Sequence, residues 1–71
     1  MNREWRHGSI ELVAGYPLFD ANGHAVTAVA DVEFAIEGGY VNVRIPGRAD
    51  TQIVAAPGVR LIVCDSLGSD Q

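Results

Sequence analysis

Two consecutive glycines, Gly38-Gly39, separate two stretches in which apolar and polar residues alternate, 32–37 and 40–45. A two-residue loop of this kind joins antiparallel strands, because glycine accepts a positive φ at little steric cost. Folding the chain about it sets Ile36 opposite Val41, Phe34 opposite Val43 and Val32 opposite Ile45. On the other face Glu33 meets Arg44 and Ala35 meets Asn42. Apolar lands on apolar and acid on base. A slip of one residue would turn every side chain to the wrong face, so the pattern predicts a β-hairpin with this register.

Two further dipeptides punctuate the chain. Asn22-Gly23, read as a two-residue loop, places Phe19 opposite Val26 and Ala21 opposite His24. The even-numbered residues Val26, Ala28, Ala30, Val32, Phe34 and Ile36 then form an inward face, with Thr27, Asp31, Glu33 and Glu37 outward. A straight strand over 25–37 is well beyond the usual length of about 5–6 residues, which predicts a bend near Ala30-Asp31. Pro57-Gly58, read the same way, pairs Val54 with Leu61 and Ile53 with Ile62. That ribbon is apolar on both faces, so it needs cover from the rest of the domain or from another subunit. Residues 9–14 form a first strand, interrupted by Gly15-Tyr16-Pro17 before Leu18-Phe19. The result is an all-β domain over 1–65, a small antiparallel meander or a five- to six-stranded barrel or sandwich, with a frayed polar tail at 66–71. The strand count matches small five-stranded barrels of the SH3-like or OB type, an analogy of architecture that carries no function.

At 71 residues a single core supplies only about 3–5 kcal/mol of net stability, so oligomerisation is the simplest source of more. Cys64 is the only cysteine, which excludes an intramolecular disulfide, and no His/Cys cluster points to a metal. No cofactor is expected. The net charge is −4, nine acids against five bases, a poor balance for a general phosphate-binding surface. Every base is arginine, which with abundant Ala and Val points to a GC-rich bacterial or phage genome. The N-terminus has no apolar signal region and no run is long enough for a membrane helix. A lone cysteine without an export signal reads as cytoplasmic.

The residues able to do chemistry have simpler structural readings. Cys64 beside Asp65 ends an apolar strand, which fits a buried thiol better than a nucleophile paired with His7 or His24. Asp20-Ala21-Asn22-Gly23 lacks the further carboxylates of a calcium loop, so His24 is a solvated turn residue. His7 has no partner nearby in sequence. Tyr16 packs against the edge of the core, and Trp5 caps its open end. Asp31, Glu33, Glu37 and Tyr40 share the outward face and are the candidate protein-binding residues, suited to a basic partner surface.

These features favour a non-enzymatic protein-interaction module that self-associates through Ile53, Ala55 and Ile62. It would act as a small regulator or inhibitor of a larger protein, such as a phage-encoded antagonist of a host system. One alternative is a small barrel binding single-stranded nucleic acid through Arg3, Trp5, Arg6, Arg44, Arg48 and Arg60. Another is a structural subunit of a ring, shell or virion, its copies joined edge to edge.

Overall fold

A computed structural model describes residues 4–65; the expected fraying at 66–71 and the contact assigned to Arg3 lie outside the described residues. The chain is an all-β small domain. Its strands are β1 (Arg6–Leu12), β2 (Leu18–Phe19), β3 (Ala25–Val26), β4 (Ala28–Glu37), β5 (Tyr40–Arg44), β6 (Gln52–Ala55) and β7 (Val59–Cys64), with a 3-10 turn at Ala56–Gly58 before the last. Five of them form one antiparallel sheet in the order β6-β5-β4-β1-β7, and β2 pairs with β3 in a small separate sheet. The first strand therefore begins earlier than the alternation at 9–14 implies. It includes Gly8, whose missing side chain lets β1 and β7 approach: a Cβ there would lie 1.9 Å from the Val63 carbonyl oxygen.

The central hairpin has the register read from its glycines: Glu33 faces Arg44, Phe34 faces Val43, Ala35 faces Asn42 and Ile36 faces Val41. Gly38 has φ 52 and Gly39 has no positive φ, the pattern of a turn whose twist suits a two-residue hairpin. Val32 and Ile45 are both buried but fall outside the ladder. Ile36, expected inward, is 59% exposed because the hairpin tip runs past the core. Phe34 and Val43 lie at the centre with Ile10, Leu18 and Val32.

The bend expected near Ala30-Asp31 is a β-bulge. Gly8 pairs with Val32 and Ile10 with Val29, so two steps along β1 correspond to three along β4. Asp31 absorbs the extra residue with φ 57, a left-handed conformation that aspartate tolerates better than most residues. The bulge inverts the side-chain alternation. Upstream of it Val29 packs against the core, while Ala28 and Ala30, expected inward, are exposed.

The Asn22-Gly23 hairpin is also one residue out of the expected register. Leu18 pairs with Val26 and Phe19 with Ala25, leaving a three-residue loop that ends on Gly23 at φ 84. The Asp20 carboxylate accepts bonds from the Asn22 and His24 amides, both at 2.9 Å, and this side-chain turn wins over the tighter loop. Leu18 rather than Phe19 is consequently buried. The hairpin is fastened to the main sheet by the Gln52 side chain, whose amide nitrogen donates to the Phe19 carbonyl (2.7 Å) while its oxygen accepts from the Phe19 amide (2.9 Å).

The largest departure lies at Pro57-Gly58. Instead of closing a hairpin, β6 pairs with β5 and β7 with β1, and because only the three-residue 3-10 turn joins these two outermost strands, the sheet must curl to bring their ends together. Val54 and Leu61, and likewise Ile53 and Ile62, are not neighbours. The Val13 amide donates to the Gly58 carbonyl (2.8 Å). Tyr16 lies over Gly58 so closely that a Cβ there would meet its ring at 2.5 Å.

Candidate interaction surface

β6 and β7 are the outermost strands of the curled sheet and do not pair with each other, although the short turn holds their ends together. Each margin carries apolar side chains in solvent: Ile53 at 64% exposure on β6, and Leu61 at 53% with Val63 at 49% on β7. The three residues expected to self-associate are thus divided. Ile53 and Ala55 are exposed on β6, whereas Ile62 lies on β7 and packs partly against the core. Leu61 and Val63 were missed because the supposed ribbon gave both faces of 59–64 equal weight.

Beside β7 the outer surface forms a shallow groove of about 290 Å³, lined by Ser9 and Glu11 of β1, Ala28 and Ala30 of β4, and Leu61 and Val63 of β7. The bulge creates it. By turning two alanines outward it lowers the floor between the neighbouring strands, and the larger side chains of β7 make a wall.

A second recess of about 340 Å³ brings Asp31 and Glu33 together with His7, Arg44 and Arg48. Most of its charges are answered internally: Glu33 faces Arg44 and His7 pairs with Asp65. Arg48 makes a two-pronged pair with Asp50 (2.9 and 2.8 Å) and donates to the Asp20 carbonyl (3.1 Å). The bond to Asp50 raises the Arg48 pKa, and the same bond holds the Asp50 carboxyl below its ordinary value. The Asp20 carboxyl is also lowered, chiefly by the His24 amide; burial opposes this, and the Asn22 amide adds a smaller lowering. His7 pairs with Asp65, 58 residues away, through its Nδ1, a partner invisible to local sequence.

Of the candidate protein-binding set, Glu33 and Tyr40 are exposed on the outer face, and Glu37 is half-buried where the Asn42 amide donates to it (3.1 Å). Asn42 is itself buried and donates also to the Ala35 carbonyl (3.4 Å). Asp31, exposed at the bulge, lines the recess beside Glu33. Of the nucleic-acid candidates, every described arginine has a carboxylate within 4.0 Å: Arg6 with Glu4, Arg44 with Glu33, Arg48 with Asp50 and Arg60 with Glu11. Trp5 does not cap the core but stacks under the Arg44 guanidinium, 4.1 Å from the ring centroid. Cys64 is exposed rather than buried. Among the described residues no group of three or more His, Cys, Asp or Glu side chains is placed to hold a metal, and no helix is long and apolar enough to cross a membrane.

The fold and surface define a small all-β domain whose curled five-stranded sheet has two apolar margins. Neither a family model, nor a curated protein, nor a solved structure matches the chain.

Proposed function

We propose that this chain is a small non-enzymatic protein-interaction module that self-associates through a margin of its sheet. The observation that carries the reading is the pair of strand edges, on β6 and β7, that pair with no strand of their own chain among the described residues. A strand edge offers unpaired amides and carbonyls to another chain, and native proteins ordinarily blunt such edges with charge, proline or a covering segment. On β7 the outward side chains include Leu61 and Val63, and its one charge, Arg60, is paired with Glu11 of the neighbouring strand. Self-association would also supplement the limited core of a 71-residue chain. As a regulator of a larger protein, the module would keep the exposed ring of Tyr40 and the carboxylate of Glu33 for a basic partner.

Sedimentation equilibrium of the full chain over a wide concentration range tests the reading. A reversible dimer or larger species is expected at micromolar concentration. A monomer throughout would end it.

A further inference from the structure

The two margins differ in the phase of their backbone hydrogen bonds, and that phase limits how copies can join. On β7 the Asp65 amide donates to the His7 carbonyl (2.9 Å). The register continues through Ser9 opposite Val63 and Glu11 opposite Leu61. Residues 61, 63 and 65 therefore direct their polar groups to β1, and Ile62 and Cys64 present theirs to the open side. On β6 the Ala56 amide donates to the Gly39 carbonyl (2.8 Å), and Val54 continues that phase opposite Val41. There Ile53 and Ala55 present their polar groups to the open side.

Ile53 belongs to the outer face and Ile62 to the core side. In an antiparallel pair, residues that exchange hydrogen bonds lie on the same face. Antiparallel joining of β6 to the β7 of another copy would thus set an outer face flush with an inner one. Joining β7 to β7 about a two-fold axis has no such conflict. Resting on the self-association proposed above, we infer that two copies pair antiparallel through β7, centred on Ile62, doubling the five-stranded sheet.

In this register Ile62 exchanges both of its bonds with Ile62 of the second copy. Leu61 falls opposite Val63 of the other copy, and Val63 opposite its Leu61, on the outer face. Arg60, which falls opposite Cys64 of the other copy in this register, is already paired with Glu11 of its own chain, so the join brings no unpaired charges of β7 against each other. A two-fold contact of this kind closes on itself and yields a dimer, not an open filament. The β6 margin offers four residues against six.

The test uses the full chain with Cys64→Ser, to which Leu61→Cys and Val63→Cys are added in separate proteins. Both positions are exposed, so folding is preserved. Opposite residues of a ladder are close enough for a disulfide, whereas each residue is only diagonal to its own copy. Under mild oxidation the mixture of the two proteins is expected to cross-link at least about ten-fold faster than either alone. A dimer by sedimentation without that preference overturns the β7 register and leaves self-association standing. A monomer overturns both.

Discussion

The Gly38-Gly39 turn and the Ala56–Gly58 turn are both short, yet one closes a ladder with the strand it left and the other passes into a strand that pairs with β1, at the other edge of the curled sheet. The difference lies in what each turn does to the twist. Gly38 at positive φ matches the right-handed twist of the flanking strands, so their ladder closes directly. Pro57 has a fixed negative φ, and the 3-10 turn closes with the Val59 amide donating to the Ala56 carbonyl. This aims the chain away from β6. The hairpin is held by its own ladder; the crossing is held by distant contacts, namely Tyr16 over Gly58 and the seam between β1 and β7.

The sharpest way to break that contrast is Gly8→Ala. The added methyl would collide with the Val63 carbonyl, prising β7 from β1 while sparing the hairpin. A loss of about 3 kcal/mol or more is expected, which leaves a domain of this size largely unfolded in a urea titration monitored by Trp5 fluorescence. Unchanged stability would mean that the seam is not as tight as described. Gly38→Ala probes the other turn. Only the strain of a left-handed alanine is introduced, since no atom lies within 4 Å of the new Cβ, and thermal unfolding should register about 1 kcal/mol of destabilisation.

The smallest effect concerns the fastening of the β2–β3 hairpin. Asp20 and Asp50 have folded-state pKa values below the ordinary 3.8. Their contribution is therefore complete above 3.8 and disappears as the pH falls through the depressed values. Amide exchange at Asn22 and His24 should accelerate in acid, beyond the intrinsic pH trend, before the central ladder loosens. Asp20→Asn should blunt that acid dependence, and equal acceleration throughout the sheet would show that the hairpin does not open separately.

The central hairpin was legible in the sequence because three apolar pairs and one acid–base pair alternate across the Gly38-Gly39 loop, and a slip of one residue breaks them. The bend in β4 was legible from strand length, but the inversion it causes was not: with Ala28, Val29 and Ala30 all apolar, composition gives no face away. The true loop at residues 20–24 depends on the Asp20 carboxylate competing for backbone amides, a signal that was present and underweighted. The course of β7 was not legible, since Pro57-Gly58 is compatible with a turn that reverses the chain and with one that redirects it. The candidate surface shared that fate. Leu61 and Val63 gain meaning only once β7 is known to be a margin.

The bulge at Asp31 lends β4 two reading frames, one on each side of a single supernumerary residue. Exchange of that aspartate for asparagine or glycine keeps both frames, whereas losing one residue between Val29 and Val32 would merge them and strip either Val29 or the Val32–Phe34 side of its place in the interior. Evolution of this segment is thus free in letter and constrained in count, and drift in its length would erase the groove and the core together.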